Sequence, residues 1–154
     1  MRNIEFKPRE VRVVVSAGKY VLGDPCYVFP DHGKWMQLLK SCNYFQDSPI
    51  GRVDGYSVLG FATRWGDGLY EDQDGFKYPV DAGMIGLVPL ELAQIEPNRH
   101  FETRIIEFAA KETLCVRDEE GVLTFGPYVI HTGHDGNDLE SPIDSVVRVL
   151  RSMT

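Results

Sequence analysis

The chain lacks the short motifs that name an enzyme class. It has no GxxxxGK followed by Ser or Thr and no GxGxxG opening a helix, so the two common phosphate cradles are excluded. It has no GxSxG elbow and no HExxH pair, which removes the α/β-hydrolase nucleophile and the zincin metal site. Cysteine is scarce: Cys26, Cys42 and Cys115 are odd in number and show no CxxC spacing. A disulfide framework is not expected, and a reducing cytoplasm is. Positive charge is in deficit, with 16 Lys and Arg against 23 Asp and Glu and a net charge of -7. Such a surface repels nucleic-acid polymers while leaving room for a local basic contact with a small anion. No apolar run approaches the roughly 18 residues that span a bilayer, and the start Met1–Glu5 has no apolar leader core, so no membrane partner is expected.

Glycine and proline are well supplied, at 15 and 9 of 154 residues. That composition favours turns and short strands over long helices, within a single domain over 1–154. Val11 to Val15 reads as a strand; Lys19 to Leu22 and Tyr27 to Phe29 read as two strands or one bent strand. Asp31 can cap a helix in which Trp35, Leu38, Leu39 and Cys42 recur at i, i+3, i+4 and i+7, giving one buried face. Residues 43–52 are rich in polar and turn-forming types and read as a loop. Val53 to Thr63 reads as a strand with bulges at Gly55 and Gly60. Asp74-Gly75 suits a type I′ hairpin. Strands are expected over Phe76 to Val80, Met84 to Val88, Phe101 to Ala109, Thr113 to Arg117, Val122 to Phe125 and Tyr128 to His131, with one helical turn at Pro89 to Ala93. Ser141, Pro142 and Asp144 open a second helix, with Ile143, Val146, Val147 and Leu150 as its apolar stripe. Strands in runs predict an α+β fold. It is mainly antiparallel sheet, a sandwich or partly open barrel, with two helices packed on it.

Two glycine- and aspartate-bearing segments stand out inside apolar runs, Gly23-Asp24-Pro25-Cys26-Tyr27 and Val80-Asp81-Ala82-Gly83-Met84-Ile85-Gly86. A carboxylate in such a run needs hydrogen-bond partners, supplied by backbone amides or by a ligand. Cys26 is a candidate nucleophile, but no base or cation adjoins it in sequence, and it also reads as a small core residue after a turn. His131, His134 and Asp135 are suitable metal ligands without an established metal spacing. The acidic stretch Asp67, Glu71, Asp72, Asp74 fails the EF-hand pattern and reads as a solvated hairpin tip. Arg64-Trp65 precedes a Gly-Asp-Gly turn, where an Arg and a Trp side by side can clasp a phosphate and a nucleobase.

The segments Lys19 to Phe29 with Trp35, and Gly66 to Tyr70 through Val80 to Gly86, resemble a group of uncharacterised small proteins of bacteriophages and bacteria. That resemblance implies an accessory phage-type protein acting inside a bacterial cell. The function expected is noncatalytic capture of a small nucleotide-like ligand in counter-defence, with no cofactor. Asp24, Tyr27, Arg64, Trp65, Asp81 and Gly83 would form the ligand site. A hydrolase or transferase using Cys26 or a metal, and an inhibitor that docks on a host protein, are the alternatives. The sequence leaves a homo-oligomer open.

Overall fold

The computed structural model describes residues 10–46, 48–94, 102–118 and 120–133, with side chains left aside at 110–114. Nine strands, one α-helix and a 3-10 turn make up the described elements. The strands are β1 (Val11–Gly23), β2 (Ile50–Val53), β3 (Tyr56–Ala62), β4 (Gly68–Glu71), β5 (Lys77–Val80), β6 (Met84–Pro89), β7 (Arg104–Arg117), β8 (Val122–Phe125) and β9 (Tyr128–His131). The helix is α1 (His32–Ser41), and the 3-10 turn spans Pro25–Tyr27. Seven strands form one open antiparallel sheet in the order β2-β3-β6-β1-β7-β8-β9; β4 and β5 form a separate hairpin. The β-rich α+β architecture therefore holds. The second expected helix, over 141–150, lies outside the described residues. Among the described residues no helix is long and apolar enough to cross a membrane.

The sheet is buried on both faces over its middle. One face carries Val21, Val58, Met84 and Val88 against α1, whose Trp35, Leu38 and Leu39 are buried as the spacing predicts. The other face carries Leu22, Phe61, Ile85, Leu87, Leu123 and Phe125 against Tyr70 and Tyr78 of the β4–β5 hairpin. Alternation early in β1 gives way to continuous burial at its end, and β6 is buried from Met84 to Val88, the pattern of strands shielded on two sides. Asp31 caps α1 as expected, its Oδ1 accepting from the Gly33 N–H at 2.7 Å.

Several local expectations give way. Residues 27–29 are not a strand: β1 runs from Val11 to Gly23 and ends in the 3-10 turn. The two strands expected over 101–117 are one, β7, paired with β1 across a register shift at Ser16/Gly18. Val53 to Thr63 is not one bulged strand. Asp54 (φ 51°) and Gly55 (φ 85°) form the two-residue turn of the β2–β3 hairpin, both left-handed as a type I′ turn requires. At Asp74-Gly75 only Gly75 has positive φ, so the I′ turn belongs to the other Asp-Gly step. Gly60 sits in an unbroken ladder opposite Gly86; Met84 and Phe45 crowd its missing side chain.

Phe45 reaches Gly60 by an unusual route. After α1 the chain passes through Asn43, Tyr44 and Phe45 with φ between 50° and 59°, a conformation that costs an L-residue about 1–2 kcal/mol each. The Tyr44 N–H closes the turn on Leu39 O at 2.7 Å, and Phe45 is buried under it.

Both sheet edges are blunted. On β2 the Ile50 and Arg52 amides donate to Ser48 Oγ and Ser41 Oγ at 3.1 and 2.8 Å. On β9 the Val129 amide donates to Gln73 Oε1 at 2.8 Å, and Asp72 bridges Ile130. Occupied edge amides disfavour a partner that adds itself as another strand.

Candidate functional site

The candidate residues gather at the end of the sheet where β1 and β3 finish and β6 begins. Asp24 follows β1 directly and is fully buried. Its Oδ1 accepts from the Cys26 N–H at 3.0 Å, which caps the 3-10 turn. Its Oδ2 accepts from the Asp81 and Ala82 amides at 2.8 and 2.7 Å. Asp24 thus ties the 25–27 turn to the 81–83 turn. In front of that tie, the Tyr27 hydroxyl donates to the carboxylate of exposed Asp81. On the far side of the 81–83 turn, Gly83 O accepts from the Thr63 N–H at 3.0 Å and brings in Arg64 and Trp65. Asp24, Tyr27, Asp81, Gly83, Arg64 and Trp65 are therefore joined by one short chain of hydrogen bonds and adjacent residues.

Asp24 is not placed to meet a ligand. Both its oxygens are engaged by the protein, and it has no exposed surface. Burial pushes its carboxyl up to about 6, against the three backbone N–H groups and the Cys26 thiol, which favour the anion. Its folded value stands above the 3.8 of an ordinary aspartate, so its contribution to stability is fully present below pH 3.8 and is lost as pH rises through about 6. Wild-type protein is accordingly expected to gain stability relative to Asp24→Asn as the pH falls across that window. Urea unfolding at matched pH values checks this, and a difference that does not change with pH would contradict it.

Cys26 is half-buried beside Asp24, and burial together with the charges of Asp24, Asp81 and Glu102 raises its thiol far above the ordinary range. An activated thiolate needs a base or a cation beside it, and this thiol has three carboxylates bearing on it. Cys42 and Cys115 are buried, and burial raises the Cys115 thiol to about 12. Nucleophilic chemistry at Cys26 is disfavoured by these surroundings.

Trp65 is the most exposed large apolar side chain among the described residues, at 58 %. It is nonetheless fixed. Its Nε1–H donates to Gly133 O at 2.6 Å, and the Arg64 guanidinium lies 4.6 Å from its ring centre. The turn that carries both is pinned in turn: Arg64 N–H donates to Thr132 Oγ1 at 2.8 Å, and Gly66 O accepts from Thr63 and Tyr70 hydroxyls at 2.5 and 2.9 Å. No sequence signal links residue 65 to residue 133.

His131 ends β9 and is exposed, while His134 and Asp135 lie outside the described residues. Among the described residues no three His, Cys, Asp or Glu side chains gather in a metal-binding group. The acidic stretch is not a wholly solvated tip. Asp67, Glu71 and Asp74 are exposed, but Asp72 is buried. Asp72 accepts from the Asp74 and Phe76 amides at 2.9 and 3.1 Å, from the Tyr78 hydroxyl at 2.7 Å and from Arg104 Nη1 at 2.7 Å. Arg104, which the motif reading passed over, also pairs with Asp74 at 2.8 Å and lies over the Tyr128 ring at 4.7 Å. It locks the β4–β5 hairpin to β7 and β9.

Compared with models of known protein families, with curated proteins and with solved structures, the chain matches none.

Proposed function

We propose that the protein is a noncatalytic binder of a small nucleotide-like molecule, acting in a bacterial cell as a phage counter-defence factor that sequesters such a signal. The observation that carries this reading is Trp65, an exposed indole held at its edge by Gly133 and on its face by Arg64. An exposed apolar ring that is already immobilised gives up little entropy when a planar group stacks on it. Arg64 supplies positive charge for phosphate in a chain whose net charge is -7. Asp81, held by Tyr27, is the acceptor for a hydroxyl or exocyclic amine. The acidic, half-buried setting of the Cys26 thiol favours capture over turnover.

Calorimetry against a panel of linear and cyclic nucleotides tests the proposal. Binding by at least one member is expected, with quenching of indole fluorescence; the other tryptophan, Trp35, is buried in the core. Trp65→Ala is expected to weaken that binding about 10- to 100-fold, the loss of one base stacked on an aromatic ring. Silence across the panel, combined with no small molecule retained by the protein purified from bacteria, would overturn the reading.

A further inference from the structure

We propose that Asp24 is the positioning residue of this site, its buried carboxylate holding the 25–27 and 81–83 turns in the arrangement that sets Tyr27 against Asp81. The inference rests on the site reading above, but it is carried by geometry. A cap on a three-residue turn needs only one acceptor, and Asp24 Oδ1 supplies it to Cys26. The second oxygen has a separate task. It takes two consecutive amides, of Asp81 and Ala82, from a turn more than fifty residues away. Asn would cap the turn equally well but has only one carbonyl oxygen. Two backbone segments held by two oxygens of one side chain require a carboxylate.

The surroundings make that carboxylate expensive. The titratable groups bearing on this corner are Cys26 and Tyr27 from the 3-10 turn, Asp81 from the facing turn and Glu102 from the segment before β7, all of them acids. A buried aspartate so placed is held by N–H dipoles rather than by an ion pair. Its effect reaches the surface through Tyr27. Burial first, then the bond to Asp81, raises that phenol well above the ordinary tyrosine range. The charge of Asp24 itself adds to that rise, so the Tyr27–Asp81 bond, rather than the phenol's titration, reports whether the two turns are held together.

The test needs no ligand, so its failure is distinct from failure of the binding proposal. In wild-type protein the Cys26 and Ala82 amide resonances, on different turns, are expected to titrate with one shared midpoint near 6. Separate midpoints, or no titration of either, would overturn the assignment. In Asp24→Asn the Tyr27 ring-carbon resonance beside the hydroxyl, read near neutral pH, is expected to move to its position in Asp81→Asn, because the bond between the two side chains is lost. A folded Asp24→Asn in which that resonance stays at its wild-type position would refute the positioning role. Should the variant not fold, the wild-type amide titration decides alone.

Discussion

Gly86→Ala is expected to leave no folded protein in the soluble fraction. Gly86 lies on the interior strand β6, opposite Gly23 of β1 on one side and Gly60 of β3 on the other. A methyl group built there would stand 1.7 Å from the Leu59 carbonyl oxygen and 2.7 Å from its carbon. Those are backbone atoms of the paired strand, so no rotamer change relieves the overlap. The ladder itself must part, and it holds Phe61 and Ile85 in the core. The expected cost is about 4 kcal/mol or more, at the extreme of single substitutions. The neighbours behave differently. At Gly60 the nearest atoms are Met84 Sδ and the Phe45 ring, side chains with some freedom to give way. At Gly55 nothing lies within 4 Å, and the demand is only for left-handed backbone, which Asn meets at modest cost. Soluble yield of Gly86→Ala beside Gly55→Asn, with chemical denaturation of whatever folds, checks the contrast. Similar stability of the two would contradict the close approach of β3 and β6.

What could be read in the sequence was whatever depends on neighbours in the chain. The cap at Asp31 and the apolar spacing of Trp35, Leu38 and Leu39 place α1 correctly because both signals are local. The β8–β9 hairpin is equally visible, since short apolar runs flank a turn. Strand β2 was hidden because its residue types do not follow its alternating burial: apolar Ile50 is exposed, while buried Gly51 is small to admit Leu38 of α1. The length of β1 and β7 was hidden by the irregularity near Ser16, which breaks the apolar pattern without breaking the pairing. The site shows the same division. Two glycine-aspartate segments in apolar runs announce carboxylates that need partners, and the structure joins them through Asp24 and Asp81. Which carboxylate is buried and which is exposed depends on contacts across more than fifty residues, and composition carries no trace of it. Asp72 makes the point again, since a run of acids looks solvated until a distant arginine is folded against one of them.

Replacing that arginine tests a contact in which one guanidinium meets two carboxylates. Arg104→Met keeps much of the side-chain volume but removes the cation from Asp72, whose side chain is wholly buried, and from Asp74. A buried charge stripped of its partner costs about 3–5 kcal/mol, far more than the intact pair contributes. The Tyr78 hydroxyl and two amides still bind Asp72, which places the expectation near 3 kcal/mol. The pH dependence identifies the cause. Burial alone would raise Asp72; in the wild-type protein the hydrogen bonds from Tyr78 and Arg104 outweigh it and hold the carboxyl below its ordinary 3.8. A depressed folded value gives stability that is present above pH 3.8 and is lost as the pH falls through the lower, folded value. Without Arg104 that acid-side loss is expected to shrink or reverse, so the gap between wild type and variant narrows toward low pH. Removing both charges in Asp72→Asn with Arg104→Met is expected to cost less than the sum of the single changes, with a coupling of about 1–3 kcal/mol. Urea unfolding of the four proteins at neutral and acid pH measures all of this. Strict additivity, or a gap that stays constant with pH, would mean that Arg104 holds the hairpin by packing on Tyr128 rather than by its charge.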